Sequence, residues 1–463
     1  MTDTAISGTG SWRALLGPRY LGTSTLLAGG VALYATNEFL TISLLPSTVA
    51  DIGGERLYAW VTTLYLVGSV VAATTVYAAL QRVGARASYL LGLVVFAIGS
   101  MVCAAAPSME VLVAGRTLQG AAGGLLAGLG YAVINAALPR ELWTRASALV
   151  SAMWGVATVV GPAMGGFFAQ FGLWRWAFGA MAVLTAAMGL LVPVVLSAGR
   201  SGAAPGLKVP GWSLLLLGTA ALAVSVAEVP HNNIATAALL AASLVLAGLF
   251  LVVDRQVSAA VLPPSAFGSG PLKWIYLTLA LLMAAAMVDM YVPLFGQRLA
   301  HLTPVVAGFL GAALAVGWTV SEIVSASLNS TRVVARVVAA APLIMAVGLA
   351  LGAVTQVDNA PVGVVALWAF ALLITGIGIG AAWPHLSAWA MERVDDPGEG
   401  GEAAAAINVV QLISGAFGAG LAGVVVNSAE GGEVMAARWL FAVFAVLAAV
   451  GVLASYRATR GQS

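Results

Sequence analysis

Residues 111–137 read VLVAGRTLQGAAGGLLAGLGYAVINAA, an apolar stretch with a single charged residue, Arg116. A helix of that length rises about 40 Å at ~1.5 Å per residue, which exceeds the ~30 Å hydrocarbon core of a bilayer. Glycine occurs six times in this stretch. So much glycine would weaken a helix in water, whereas in lipid it allows two helices to pack closely. The stretch therefore predicts a membrane-spanning α-helix.

The rest of the chain has the same character. Of its 463 residues, 61% are hydrophobic and 8% are charged, whereas about a quarter of the residues in a soluble domain are charged. This composition excludes a soluble protein. The net charge of +2 and the lack of a basic tail argue against a nucleic-acid partner. Cys103 is the only cysteine, so no internal disulfide can form.

Fourteen apolar runs, separated by turn-forming or charged residues, predict fourteen membrane spans, or twelve if runs seven and eight do not cross. Basic residues favour the cytoplasmic side of spans. With the N-terminus inside, fifteen Lys or Arg residues fall in cytoplasmic segments and four in outer segments, so both termini are expected in the cytoplasm. The runs cover residues 20–46, 58–80, 87–106, 111–137, 146–169, 176–197, 212–228, 234–253, 272–297, 304–327, 334–355, 361–390, 405–427 and 437–456.

Two polar linkers, at residues 198–211 and 254–271, divide the runs into six, two and six. We expect an N-terminal six-helix bundle at 1–200, two inserted helices at 201–258 and a C-terminal six-helix bundle at 259–463. Transporters built from repeats bind substrate near the bilayer midplane, where the repeats meet. A site is therefore expected between the bundles, with runs seven and eight at the periphery.

Run five contains the segment GPAMGG at residues 161–166. Gly161 and Gly165 leave one helix face without side chains, which lets a neighbouring backbone approach. Pro162 removes a backbone hydrogen bond and bends the helix. A bent helix with a smooth face suits a pivot between two bundles, although a simple packing seam would use the same residues.

Four further segments have recognisable patterns: RTLQGAAGG at 116–124, WRW at 174–176, LP at 262–263 and NVVQLISGAFG at 408–418. With run five, their order and spacing resemble the major facilitator superfamily, specifically its fourteen-span drug:proton antiporters. The resemblance implies an all-α polytopic fold of two six-helix bundles, with two extra transmembrane helices between them. It assigns gating or motif roles to Arg82, Gly84, Arg86, Gln119, Gly120, Gly161, Pro162, Gly165 and Gly166.

Three places depart from the family pattern: the loop after run two, the equivalent loop after run ten at residues 329–336, and Ala157, where the run-five motif of the family begins with Gly. The loop after run two reads YAALQRVGAR at residues 77–86 and keeps Arg82, Gly84 and Arg86. Where the family has an acid that latches the bundles on the cytoplasmic side, this chain has Gln81. The latch is therefore absent or differently built here.

Glu38 in run one and Asp289 in run nine occupy matching depths on repeat-related runs, each about 7 Å outward of its midpoint. We expect both carboxylates to face one cavity, because a charge in lipid is costly and marks a functional site. Burial favours the protonated acid and a nearby cation favours its release, which predicts proton coupling through Glu38, Asp289 and Arg116. The alternatives are local structural pairing of the acids and a tie from Arg116 to backbone carbonyls or hydroxyls.

Two other acids fall within or near runs. Glu322 in run ten lies toward the cytoplasm, near Arg332 and Arg336, which predicts a gating ion pair. Glu228 ends run seven and is expected to be solvated.

Aromatic and polar side chains at the depth of the acids are candidates to line a cavity for lipophilic or cationic substrates. The alternative for the aromatic residues is a lipid-facing belt. The candidates are Tyr34, Asn37, Trp154, Tyr291, Phe295, Trp318, Asn408 and Gln411, with Trp60 and Trp383 also considered.

No ATP-binding loop, zinc-protease motif or nucleophile set occurs in the sequence, so we expect no enzyme activity, metal or cofactor. The sequence predicts a multi-pass protein of the bacterial cytoplasmic membrane that exports lipophilic or cationic drugs by proton antiport and confers antibiotic resistance. Its expected partners are substrate, protons and membrane lipids, and it is expected to act as a monomer. The alternative is a dedicated exporter of a lipid, sugar or siderophore on the same fold.

Overall fold

The computed structural model describes residues 12–73, 75–196, 210–227, 232–257, 260–328, 330–396 and 399–460. Within these ranges the chain is helical and has no β-strand. Short 3-10 helices lie at Glu55–Leu57, Pro264–Phe267 and Met287–Tyr291. The α-helices are α1 (Trp12–Leu15), α2 (Leu21–Ile52), α3 (Tyr58–Ala73), α4 (Val76–Ala104), α5 (Met109–Ala137), α6 (Arg140–Gln170), α7 (Trp174–Val195), α8 (Gly211–Val226), α9 (Asn233–Asp254), α10 (Leu272–Ala286), α11 (Val292–Ala300), α12 (Pro304–Ala326), α13 (Thr331–Thr355), α14 (Val362–Glu392), α15 (Gly400–Asn427) and α16 (Glu433–Thr459).

Each predicted run overlaps a helix; run two extends past α3 into α4, and run nine covers α10, the 3-10 turn and α11 together. Eleven helices of the described chain are long and apolar enough to cross a bilayer, while α8 is apolar but has only 16 residues. The all-α polytopic fold is confirmed. That all fourteen runs cross the membrane stays a prediction.

The boundary between runs two and three differs from the prediction. Helix α3 ends at Ala73, and α4 already begins at Val76, so the predicted loop at 77–86 is mostly helical. Gly84 interrupts α4 with φ 80° and ψ 170°. Glycine adopts this positive φ at little steric cost, which explains why the chain can turn there.

Helices α2–α7 pack mainly on one another, as do α10–α16, and we refer to these sets as the first and second bundles. The same packing device occurs in each. Gly120 and Gly124 of α5 lie against the backbone of α3, and Gly376 and Gly380 of α14 lie against the backbone of α12. Because glycine has no side chain, each pair brings two helix backbones into direct contact. The two bundles therefore repeat the same helix–helix contact, as expected of an internal repeat.

The two inserted helices differ from each other. Helix α9 packs on α8, whereas α8 packs on both α3 and α15 and so lies across the line where the two bundles meet. The indole Nε1 of Trp60 on α3 donates to the carbonyl of Ser225 on α8 at 2.8 Å. At the end of α9, buried Asp254 accepts from the backbone N–H groups of Val261 and Leu262 at 2.7 and 2.9 Å, which fixes the second linker.

The bundles are in close contact at one end of the molecule. There Gly166 of α6 lies against Val305 of α12, and Gly308 of α12 lies against Pro162 of α6. Arg298 of the second bundle forms an ion pair with Glu55, which lies just before α3. We call this the closed end; the predicted topology places it outside the cell.

Candidate functional site

A cavity of about 290 Å³ lies between the bundles, on the inner side of the closed end. Both bundles contribute to its wall. It is lined by Tyr34, Glu38, Phe39, Ile42, Thr62, Leu66, Trp154 and Thr158 of the first bundle and by Met283, Ala286, Met287, Asp289, Met290, Leu314, Ala315, Trp318, Thr319, Glu322, Trp383, Gln411 and Leu412 of the second.

Glu38 and Asp289 face this cavity from opposite bundles. Glu38 is carried by α2, and Asp289 by the 3-10 turn between α10 and α11. Asp289 is 9% exposed, and its Oδ1 has no hydrogen-bond partner among the described residues. A buried carboxylate without a partner is costly when ionised. Glu38, on the opposite wall of the same cavity, is half-buried, and the two acids together are suited to bind protons.

Arg116 on α5 is fully buried, and of the two acids its charge acts on Glu38. Its NH1 group donates to Asn37 Oδ1 and, at 2.9 Å, to Gln119 Oε1. Its guanidinium also lies over the ring of Tyr65, 3.9 Å from the centroid. Arg116 is thus bound to amides and an aromatic face, and in the described chain its hydrogen bonds do not include Glu38. Its charge remains close enough to act on Glu38 through the low-dielectric interior.

The motif around Arg116 extends this network. Gln119 Nε2 donates to Ser100 Oγ at 2.8 Å, which ties α5 to α4. Ser69 Oγ on α3 donates to the Gly120 carbonyl at 2.9 Å. Gln119 and Gly120 therefore join three helices around the buried cation, and neither lines the cavity.

Glu322 does not form the predicted gating pair. No ion pair joins it to Arg332 or Arg336 in the part of the chain described. Its half-buried carboxylate faces the cavity instead, beside Trp318 and Trp383, whose rings are 5.4 Å apart. The sequence placed the acid at the right depth, but the rotation of α12 turns it toward the cavity.

Half of the eight predicted cavity residues line the cavity. Tyr34, Trp154, Trp318 and Gln411 line the cavity, whereas the other four do not. Asn37 is buried against Arg116. Asn408 is exposed on α15. Tyr291 and Phe295 are buried above the cavity in a stack with Tyr58, with ring centroids 4.6 and 6.0 Å apart.

This stack forms the roof of the cavity at the closed end. Tyr58 comes from the first bundle and Tyr291 from the second, and the Tyr58 hydroxyl donates to the Met290 carbonyl at 3.2 Å. The roof therefore joins the bundles directly beside Asp289. Any movement of the 3-10 turn that carries Asp289 also moves the roof.

The sequence prediction missed three methionines that line the cavity, Met283, Met287 and Met290. Their spacing of four and three residues places them on one helix face, and this periodicity was the available signal. Methionine side chains are flexible and polarisable, so they adapt to ligands of different shape.

The glycine motif of α6 lies at the closed end and not in the cavity. Gly161 and Gly165 pack against α2 at Phe39 and Leu40, and Gly166 packs against α12 at Val305. Pro162 lies inside α6 between these contacts. The motif therefore joins α6 to a helix of each bundle. Arg82, Gly84 and Arg86 lie at the opposite end, where Arg82 is exposed.

The WRW turn before α7 binds the end of α2. Arg175 NH1 and Trp174 Nε1 donate to Asp51 Oδ2 at 2.5 and 3.1 Å. These hydrogen bonds hold the pKa of Asp51, beyond the end of run one, below its usual value. Glu228 and most of the first linker lie outside the described residues.

Comparisons with known proteins agree with this architecture. A sequence profile of the Major Facilitator Superfamily matches residues 27–419. A protein of Mycobacterium tuberculosis named as a probable multidrug-efflux transporter is 73% identical over 99% of this chain and 98% of its own length. The multidrug transporter protein MdtP of Bacillus subtilis is 24% identical over 88% of this chain and 76% of its own length.

Solved structures show the same fold at low sequence identity. A POT family transporter in complex with 5-aminolevulinic acid has a TM-score of 0.70 at 12% identity, covering 98% of this chain and 99% of its own. The nucleoside transporter NupG has a TM-score of 0.67 at 12% identity, covering 94% of this chain and 99% of its own.

Proposed function

This chain belongs to the major facilitator superfamily of membrane transporters, and we propose that it exports lipophilic and cationic drugs from the bacterial cytoplasm in exchange for protons. The observation that carries the proposal is the pair of acids, Glu38 and Asp289, on opposite walls of one cavity. The similarity to a protein named as a multidrug-efflux transporter supports drugs as the substrate class.

The lining of the cavity supports a broad substrate range. Aromatic faces at Trp154, Trp318 and Trp383 suit flat or cationic compounds. The methionines provide an adaptable apolar surface. A dedicated exporter of a lipid, sugar or siderophore would instead be expected to surround its substrate with fixed polar contacts.

In the proposed cycle the bundles rock about the cavity. In this proposal, with fourteen spans and cytoplasmic termini, the closed end is the outer end and the arrangement of the bundles corresponds to the inward-facing state of the cycle. Substrate enters while the acids are ionised or after it displaces their protons. The bundles then open outward, substrate leaves, and protonation of Glu38 or Asp289 returns the transporter. We propose that a single chain performs this cycle as a monomer.

The test is proton-gradient-driven efflux of an ethidium-type cation and of a neutral dye in vesicles. We expect Glu38→Gln and Asp289→Asn each to reduce coupled efflux at least about a hundredfold, because a neutral amide cannot exchange the proton. Dye binding should persist. Glu110→Gln is the matched control, since Glu110 is an exposed acid of the same bundle, outside the cavity.

If both variants keep wild-type coupled efflux, the two acids are not the coupling site and the proposed mechanism is wrong. Transport of one compound with rejection of dyes unrelated in shape would instead favour the dedicated exporter.

A further inference from the structure

We propose that lipophilic substrate reaches the cavity sideways from the membrane, through a portal between α6 and α12, and that α8 closes the corresponding opening on the other side of the molecule. This inference rests on the proposed export of lipophilic compounds. The ligand of the portal is a small lipophilic molecule dissolved in the leaflet on the side away from the closed end.

The bundles meet along two seams that open to the surrounding lipid. We call the α6–α12 contact the first seam and the α3–α15 contact the second seam. A lipid-dissolved molecule can reach a central cavity only through such a seam. The two seams differ in how they are covered.

In the first seam, the contacts that glycines of α6 and α12 make across the seam lie near the closed end. Gly166 meets Val305 there, and Pro162 meets Gly308. Gly155 lies eleven residues before Gly166, about three helical turns, and therefore points in nearly the same direction. No atom of the described residues lies within 4 Å of a Cβ built on Gly155. At the depth of Gly155, α6 and α12 are therefore apart.

The exposure of α12 shows the same separation. Val305, Ala312, Val316 and Ile323 follow one another at spacings of seven, four and seven residues, which places them on one helix face. This face packs on α6 at Val305. Its exposed fraction then rises from 7% at Ala312 to 43% at Val316 and 69% at Ile323. The gap therefore widens away from the closed end.

The gap is continuous with the cavity. Trp154 and Thr158 of α6 and Trp318 and Thr319 of α12 line the cavity on the flanks of the two separated faces. Exposed apolar side chains at Val159 and Val320 border it on the membrane side. A portal with apolar and aromatic walls admits a lipophilic molecule and disfavours an ion that has lost its hydration.

The second seam is covered. Leu66 and Val70 of α3 and Val409 and Leu412 of α15 are at most 9% exposed. Leu214, Leu217 and Ala221 of α8 pack against this group, and Phe250 of α9 and Val261 of the second linker complete it. The hydrogen bond from Trp60 to Ser225 attaches α8 at the outer part of the seam. Among the described residues, the inserted helices therefore cover the second seam and leave the first seam uncovered for entry from lipid.

Two measurements on full-length protein in vesicles test the portal. In a Cys103→Ser background, we place a single cysteine in the portal by Val316→Cys or on the lipid-facing surface of α9 by Val245→Cys, a residue that is 69% exposed. A maleimide with an alkyl chain should label both cysteines from the bilayer. A neutral lipid-partitioning dye should slow labelling at position 316 about threefold or more and leave position 245 unchanged.

The second measurement blocks the portal with Gly155→Trp. The control is Gly248→Trp on α9, because both glycines have open space around them and both variants should fold. We expect Gly155→Trp to lower the initial rate of dye efflux about tenfold, without changing equilibrium dye binding, because an obstructed route alters rates and not affinity. Gly248→Trp should match wild type in both.

Equal efflux by the two tryptophan variants, or absence of dye protection at position 316, would overturn the portal while leaving proton-driven export intact. Failure of proton-driven export can be told apart from failure of the portal, because cysteine labelling and dye binding need no proton gradient. Protection at position 316 in a wild type that lacks gradient-driven efflux would support the portal and refute the proposed function.

Discussion

Arg116 shows how one residue can be both costly and necessary. It is 1% exposed and has no carboxylate partner among its hydrogen bonds in the described chain. Its positive charge is balanced by amide oxygens, the Val61 carbonyl and the face of Tyr65. The planar guanidinium has several donors in fixed directions, which is why it can satisfy these acceptors together.

We therefore expect Arg116→Lys to destabilise the protein although it keeps the charge. An ammonium group cannot reach Asn37, Gln119 and Val61 at once, and each buried group left unpaired costs about 1–3 kcal/mol. Thermal unfolding in detergent should show a Tm several degrees below wild type, together with a loss of dye efflux. The control is Arg255→Lys, because Arg255 is exposed just after α9 and has no assigned role in the site. Equal Tm values for the two variants would show that the guanidinium geometry is unimportant.

At the scale of the helix, the glycine motif of α6 allows the two bundles to come into contact at the closed end. Gly166 is in contact with the Val305 backbone, and no side chain fits between the two helices there. Gly161 and Gly165 allow the same closeness to α2. One side of α6 thus packs closely on α2 of the first bundle, and another side packs closely on α12 of the second bundle.

Gly166→Leu should hold the closed end open. The added side chain meets a backbone that cannot move aside, so the population shifts toward the outward-open state. A reporter cysteine introduced by Ser43→Cys, at a position buried beside Gly308, should react with an impermeant maleimide from outside about tenfold faster, equivalent to ~1.4 kcal/mol. Gly179→Leu on α7 has open space around it and serves as the control. Unchanged reactivity in Gly166→Leu would contradict a close approach at this point.

The element that carries Asp289 also differs from its sequence pattern. Run nine predicts one helix, yet residues Met287–Tyr291 form a 3-10 turn between α10 and α11. Nothing in the apolar pattern marks this break, because the side chains on both sides of it are compatible with a regular helix. Contacts with the other bundle, including the Tyr58–Tyr291 stack, exist only in the folded molecule.

At the scale of the whole molecule, Arg298 forms an ion pair between the bundles at the closed end of the described chain. It pairs with Glu55 before α3 and, at 2.5 Å, with Glu433 of α16. These groups are partly exposed, so each pair contributes about 0–1 kcal/mol. The Arg298 ion pairs therefore change the free-energy difference between the closed and open states only slightly, and they do not lock the closed state.

Arg298→Gln should raise the outside reactivity of the Ser43→Cys reporter by no more than about fivefold, the equivalent of ~1 kcal/mol. The difference from wild type should shrink in 1 M salt, where the screening length falls to ~3 Å. Arg438→Gln is the matched control, because Arg438 bonds the Gln356 carbonyl within its own bundle. A salt-independent effect, or an equal effect of the control, would rule out an ionic link between bundles.

The sequence by itself determined the helical membrane fold and the position of its helices, because apolar length and charge spacing are local properties of the chain. It also identified Glu38, Asp289 and Glu322 as acids within runs, since a charge in an apolar stretch is visible without a structure. Only the tertiary structure decided which way each side chain points. The rotation of every helix depends on contacts with several others, and this explains why Glu322 faces the cavity and Asn37 faces Arg116. The position of α8 in one seam and the gap in the other have the same origin, because packing between distant segments leaves no trace in local periodicity.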